Sequence, residues 1–258
     1  FRRVLFRSVL VGTNFMSVYA TSKDTGVNAD ITYSINAGNE QGKFRIDSNT
    51  GSVMVVQPLD FESTREYVLT VMATDGGSPP LSNTAIIRIN VTDANDNFPA
   101  FAQRLYHAVV PEDAHYGESV IQVLGSDMDS EENAVLSYKL RNDDNNQAFS
   151  ITYQTGVIST VLPLDRETTP SYDLIVEVVD GGQPRLTGST TVRIEVQDIN
   201  DNPPRFAEDN YTAVVQEDQE IGYVVVNLEV TDLDTGLNAE PFSFDIISGN
   251  EDNEFMVN

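Results

Sequence analysis

The sequence predicts an all-β protein made of tandem β-sandwich domains, and three observations carry that prediction. Unlike motifs recur at one spacing of 105 residues, apolar residues alternate with period two, and Gly and Pro clusters punctuate the alternating runs. The recurrence is the most informative. Asp93-Ala94-Asn95-Asp96-Asn97 returns as Asp198-Ile199-Asn200-Asp201-Asn202, and Leu59-Asp60-Phe61-Glu62 as Leu164-Asp165-Arg166-Glu167. Asp75-Gly76-Gly77 returns as Asp180-Gly181-Gly182, Asp127-Met128-Asp129 as Asp232-Leu233-Asp234, and Pro111-Glu112-Asp113 as Gln216-Glu217-Asp218. Asn28, Asn133 and Asn238 keep the same step. Local propensity gives no reason for unlike motifs to share a spacing; copies of one domain do.

The alternation supplies the strands. Tyr67, Leu69, Val71 and Ala73 are matched by Tyr172, Leu174, Val176 and Val178; Ile87, Ile89 and Val91 are matched by Val192, Ile194 and Val196. Period two with β-branched and aromatic residues marks half-buried strands. Breaks at 76–80 and 181–184 separate them. About seven short strands in roughly 105 residues make a β-sandwich. The expected partition is 9–97 for a first repeat, 98–202 for a second and 203–258 for the N-terminal half of a third, with short linkers at 98–100 and 203–205.

Composition narrows the function. The 258 residues carry 40 Asp and Glu against 15 Lys and Arg, a net charge of −25. Phosphate binding needs clustered Lys or Arg, so nucleic acid is not an expected partner. With Cys 0, neither disulfides nor zinc thiolates are available. The repeated acids are the candidates for chemistry. Calcium takes six to eight oxygens, preferring carboxylates, carboxamides and backbone carbonyls. Each recurring motif offers one or two such oxygens at a strand end or in a loop. Neighbouring carboxylates repel by ~1 kcal/mol per pair in water, and more when desolvated; a divalent cation balances them in every repeat.

The ordered set Pro-Glu, Leu-Asp-Arg-Glu, Asp-x-Asn-Asp-Asn, Asp-x-Asp and Asp-Gly-Gly resembles the cadherin repeat, over essentially the whole chain beyond residue 8. The long Fat, Dachsous and protocadherin-like cadherins are the most similar, in the Leu-Asp-Phe-Glu motif and the strict period. The resemblance implies Ig-like Greek-key sandwiches joined end to end by calcium-binding junctions, about three Ca2+ at each complete one. Carried onto the first junction, it implies ligands Asp60, Glu62, Asp93, Asn95 and Asp96, and backbone oxygens of Ala94 and Asn97. Across the junction it implies Asp127, Asp129, Asp180 and the carbonyl of Asn133. At the second junction the implied set is Glu112, Asp165, Glu167, Asp198, Ile199, Asn200, Asp201 and Asn202, with Asp232, Asp234 and Asn238 opposite.

Two positions depart from the pattern. Ser22-Lys23-Asp24 stands where Asp-x-Asp is expected, and Arg7 occupies the position of Glu112. The first departure is expected to cost a preceding junction one carboxylate, so that it binds fewer ions; the second is expected to make the first junction bind calcium less well than the second. The opening FRRVLFRS is what TTC AGA CGT GTG CTC TTC CGA TCT encodes, the end of a common sequencing-library adapter. Residues 1–8 are accordingly expected to be a non-native leader, with the natural chain beginning near Val9.

Rival readings fail on particular residues. Asp60/Glu62 and Asp165/Glu167 recur with other acids, whereas an acid/base pair needs a single cleft. His107 and His115 face Thr212 and Glu220 in the next copy, so surface positions are expected. The segment Asp232 to Ser243 has Leu237 where an EF-hand needs Gly and ends in Ser rather than Glu. Asn90-Val91-Thr92 and Asn210-Tyr211-Thr212 match the N-glycosylation pattern. The resemblance implies calcium-dependent adhesion to another cadherin ectodomain, homophilic or heterophilic, outside a cell whose membrane anchors the parent chain. Trp is absent, so a Trp-anchored strand exchange is unavailable; the competing expectation is a load-bearing spacer or ligand-binding segment of a receptor.

Overall fold

The computed structural model describes residues 3–6, 11–141 and 147–257. The chain is all-β, apart from short 3-10 turns at Gly26–Ala29, Glu131–Ala134 and Gly236–Asn238. In the first repeat one sheet has four strands, β1 (Arg3–Phe6), β3 (Thr32–Ala37), β6 (Glu66–Thr74) and β7 (Ser82–Val91), in the order β1-β7-β6-β3. The facing sheet has β2 (Asn14–Ser17), β4 (Phe44–Ile46) and β5 (Ser52–Val55), in the order β2-β5-β4. β6 and β7 run antiparallel along nine paired positions, from Glu66↔Asn90 to Thr74↔Ser82.

After the two-residue strand β8 (Ala100–Phe101) the plan repeats. β9 (Leu105–Pro111), β12 (Ser137–Leu140), β15 (Ser171–Val179) and β16 (Thr187–Gln197) form the four-stranded sheet, ordered β12-β15-β16-β9. β10 (Ser119–Gln122), β13 (Phe149–Ile151) and β14 (Val157–Thr160) form the three-stranded one, with β11 (Gly125–Ser126) in the loop that follows β10. The two sheets of each repeat enclose its core, as the alternating pattern requires. In the first, Val53, Val55, Leu69 and Ile89 are fully buried; in the second, Ile158, Leu174, Val176 and Ile194 are. Fully burying one such side chain contributes roughly 1.5–3 kcal/mol. Edge-to-face pairs recur as well, Phe44 on Tyr67 and Phe149 on Tyr172, each with centroids 5.0 Å apart.

One strand breaks step with the repeat. β9 pairs parallel to β16 with His107 opposite Arg193, whereas β1 pairs parallel to β7 with Arg3 opposite Arg88. Arg88 and Arg193 are 105 apart, but Arg3 and His107 are 104 apart, so the β1 backbone lies one residue out of the repeat register. Beyond residue 203 the described strands are β17 (Arg205–Phe206) and β18 (Val230–Thr231), paired antiparallel. Apolar residues there, among them Val214, Ile221 and Ile247, are exposed.

The chain divides into two compact units. One is Phe1–Ala100 with the loops Ser126–Leu136 and Val179–Thr187; the other is Phe101–Gly125, Ser137–Val178 and Gly188–Asn258. Two loops of the second repeat thus group with the first, and those loops carry Asp127, Asp129, Asn133 and Asp180. Each set of junction acids falls wholly inside one unit.

Candidate metal centres at the repeat junctions

Each junction begins with turns that place carboxylates at strand ends. Asp60 accepts from the backbone N–H of Glu62 at 3.0 Å and of Ser63 at 3.2 Å, an Asx-type turn. Asp165 plays the same part for Thr168. Asp127 accepts from the N–H of Asp129, and Asp232 from that of Asp234, each at 3.0 Å. At the top of the first repeat, Ser22 replaces the carboxylate and accepts from the N–H of Asp24 at 3.1 Å. The turn survives there; the charge does not.

In the first junction, residues far apart in sequence converge. Asp93 Oδ2 accepts from the Ser130 N–H at 2.9 Å and from the Asn133 amide at 3.0 Å. The Asn95 amide donates to Asp180 Oδ2 at 3.1 Å and to the Pro184 carbonyl at 2.6 Å. The Asn97 amide donates to Asp129 Oδ1 at 2.7 Å and to Asp96 at 3.0 Å. The Ala94 carbonyl accepts from the Asp96 N–H. Glu62, Asp93 and Asp129 present oxygens within 4.8 Å of one another.

The second junction reproduces the Asp93 and Asn97 bonds. Asp198 Oδ2 accepts from Thr235 N–H at 3.0 Å and Asn238 at 2.8 Å, and the Asn202 amide donates to Asp234 at 2.9 Å and Asp201 at 2.7 Å. Glu112 adds a buried carboxylate, accepting from the N–H of Arg166 at 2.8 Å and of Ile199 at 2.7 Å. Two oxygen groups result, Glu112–Glu167–Asp201 and Glu167–Asp198–Asp234. The Ile199 carbonyl accepts from the Asp201 N–H, and Asn200 is exposed beside it. Arg7 lies outside the described residues.

The electrostatics are those of crowded acids. Burial, with Asp93 and Asp60 alongside, pushes Glu62 up to about 7. Burial and then Asp129, Asp60 and Asp93 raise Asp96; burial and then Asp129 and Asp180 raise Asp127. Burial and then Glu112 raise both Glu167 and Asp201. Burial also works to raise Asp93, but the Ser130 N–H and the Asn133 amide outweigh it and hold that carboxyl low.

A bound cation fits this arrangement by a direct criterion. Glu62 Oε1, Asp93 Oδ1, Asn95 Oδ1 and Asp127 Oδ2 are buried and have no hydrogen-bond donor. Buried acceptors ordinarily find partners. Here four oxygens drawn from both repeats share the lack, and hard oxygen donors are the type of which calcium takes six to eight.

The sequence missed one participant. Arg166 contacts Glu167, Asp198 and the Leu233 carbonyl inside the second cluster; its place in Leu-Asp-Arg-Glu, between two predicted ligands, was the available signal. The two histidines follow expectation. His107 and His115 are exposed. Asn90 is half-buried in β7 opposite Glu66, and Asn210 is exposed.

Comparison with known proteins agrees with the fold. The cadherin domain family profile matches residues 7–92 and 106–197, more than half of the chain. Protocadherin Fat 1 of Homo sapiens is 46% identical over 250 residues, covering 97% of this chain and 5% of its own length. The Fat-like cadherin-related tumor suppressor homolog of Drosophila melanogaster is 45% identical over 246 residues, covering 95% of this chain and again 5% of its own. The chain therefore spans a small part of these relatives. The crystal structure of mouse Cadherin-23 EC22-24 superposes with a TM-score of 0.79 at 33% identity, covering 92% of this chain and 75% of that one. The family is one of adhesion modules rather than enzymes. With its two sandwiches, its recurring acidic motifs and these matches, the chain belongs to the cadherin family.

Proposed function

We propose that this chain is a run of consecutive extracellular repeats, held in line by calcium at the two acidic junctions and serving cell–cell adhesion. The observation that supports the reading most is the set of four donorless oxygens at Glu62, Asp93, Asn95 and Asp127. Glu62 belongs to the Leu-Asp-Phe-Glu motif of the first repeat, Asp93 and Asn95 to the inter-repeat Asp-Ala-Asn-Asp-Asn stretch and Asp127 to the second repeat, so a cation bound there ties the repeats together.

At the first junction Asp60, Glu62, Asp93, Asn95, Asp96, Asp127, Asp129 and Asp180 supply side-chain oxygens, and Ala94, Asn97 and Asn133 supply carbonyls. At the second, Glu112, Asp165, Glu167, Asp198, Asn200, Asp201, Asp232 and Asp234 supply side chains, and Ile199, Asn202 and Asn238 supply carbonyls. Calcium contributes a compact double positive charge that offsets the repulsion among these acids. The protein contributes the geometry: the N–H groups of Ser130 and Thr235 and the amides of Asn97 and Asn202 hold the carboxylates in place. Extracellular calcium modules of this kind bind at ~10⁻⁴–10⁻³ M.

Two measurements test this. Calorimetric titration of the full chain should show calcium binding in that range, with several ions bound. Beads coated with the chain should then aggregate in millimolar calcium and disperse on chelation. Calcium binding without aggregation would replace adhesion by a spacer role; no calcium binding would overturn the reading.

A further inference from the structure

The two junctions differ at the position between their matched Asp and Glu, Asp60/Glu62 and Asp165/Glu167. In the second, the Arg166 side chain is only 15% exposed and lies among acids. One terminal nitrogen contacts Glu167 Oε1 and donates to the Leu233 carbonyl at 2.8 Å, while Nε faces Asp198 Oδ1 as an ion pair. That pair lacks hydrogen-bond alignment, since neither Nε nor Asp198 Oδ1 makes a hydrogen bond. Glu167 and Asp198 are two of the three members of the Glu167–Asp198–Asp234 group.

In the first junction, 105 residues earlier, the same position is Phe61. A basic group there, the exposed Arg65, stacks on the Phe61 ring at 4.8 Å. The oxygens that correspond to the Arg166 contacts are Glu62 Oε1 and Asp93 Oδ1, and both are buried without a donor. The same two acids are thus bare in one junction and covered by a guanidinium in the other.

We propose that Arg166 is a built-in counter-cation of the second junction, competing with a divalent cation for the oxygens of Glu167 and Asp198. This rests on the calcium reading of the clusters. A planar guanidinium suits paired carboxylates and is always charged, so it neutralises the group whenever calcium is scarce. Its bond to Leu233 also ties the second repeat to the segment after 203 without any metal. Binding of a cation by Glu167, Asp198 and Asp234 requires the guanidinium to withdraw. The second junction is then the less calcium-hungry at this group and the less dependent on calcium for order; the first, with Phe61, has no such reserve.

Competition predicts opposite signs in two measurements, which a merely structural role does not. In the full chain, Arg166→Phe and Arg166→Gln should each tighten calcium binding at one class of sites by about tenfold. With calcium chelated, the same variants should lower the melting temperature. Phe61→Arg, placing a guanidinium in the first junction, should do the reverse, weakening calcium binding and raising the calcium-free melting temperature. Arg166 variants that bind calcium equally or more weakly, or that lose stability to the same extent with and without calcium, would overturn the proposal. If no variant and not the parent chain binds calcium, the calcium reading fails and the competition with it. The chelated melting comparison then still decides whether Arg166 neutralises the cluster.

Discussion

The Asn95 amide reaches 85 residues along the chain to donate to Asp180 at 3.1 Å, and it does so across the face of Gly182. A Cβ built on Gly182 would lie 2.1 Å from Asn95 Cγ, so no side chain fits there without expelling the amide. Gly182 thus acts as a positioning residue for Asn95 and, through it, for Asp180. Gly182→Ala should weaken calcium binding at the first junction by about tenfold, the scale of one lost hydrogen bond to a charged group. The matched Gly77→Ala, whose Cβ would meet nothing closer than 3.2 Å, should change binding far less. Calorimetric titration of both variants checks the contrast; equal effects would mean the Asn95 contact is unimportant.

Asp201→Ala probes the second junction alone. Asp201 is exposed, shares an oxygen group with Glu112 and Glu167, and is raised by burial and then by Glu112, Asp234 and other acids around it. Its removal should abolish or weaken one class of calcium sites while easing repulsion in the calcium-free protein. The expected result is a lower calcium stoichiometry or affinity together with an unchanged or higher melting temperature under chelation. Unchanged calorimetry would show that Asp201 is not a ligand.

Much of this was legible in the residues, because the information lay in a period. The strands Phe44–Ile46, Ser52–Val55 and Glu66–Thr74 reappear 105 residues on with identical bounds at Phe149–Ile151, Val157–Thr160 and Ser171–Val179. Periodic apolar residues at Leu69, Ile89, Leu174 and Ile194 are the buried ones, since only one face of each strand meets the opposite sheet. The acids were legible as a set because each motif repeats. For Arg166 only its place between two predicted ligands was legible, since nothing in a local pattern says whether a long side chain turns toward solvent or reaches across to Asp198 and Leu233. The β1 register was not legible either, because Arg-Val-Leu-Phe at residues 3–6 has no apolar alternation to set it. Asn95 was legible as a ligand candidate but not as a donor to Asp180, which depends on the missing Cβ of Gly182.

Stability of the second sandwich should be separable from its calcium chemistry. Leu174 in β15 is fully buried in the core, away from the acidic loops. Leu174→Ala should cost about 2–5 kcal/mol, from lost transfer energy and the cavity left behind. Denaturant unfolding should show that loss equally with and without calcium. A loss seen only without calcium would mean that this core is held by the junctions rather than by its own packing.

The raised carboxyl of Glu62 predicts a pH dependence whose sign reverses with calcium. Its ordinary value is 4.5 and burial, aided by Asp93 and Asp60, raises it to about 7 in the folded chain. Below 4.5 the group is protonated in both states; between 4.5 and about 7 only the folded state holds the proton. Folded stability from this group is therefore fully present at the acid end and is lost as pH rises through about 7. Asp60 and Asp93 are lowered and act in the opposite sense at the acid end, while Asp96, Asp127, Glu167 and Asp201 are raised and act in the same sense as Glu62. Without calcium, the melting temperature should be higher near about pH 5.5 than near about pH 8. With calcium the proton becomes a competitor for the same oxygen, so affinity should fall as pH drops through about 7. Glu62→Gln should reduce the calcium-free trend, because the neutral amide carries no charge to relieve. Melting curves of the parent chain and this variant at the two pH values decide the matter, and a calcium-free protein that is less stable at the acid value would refute it.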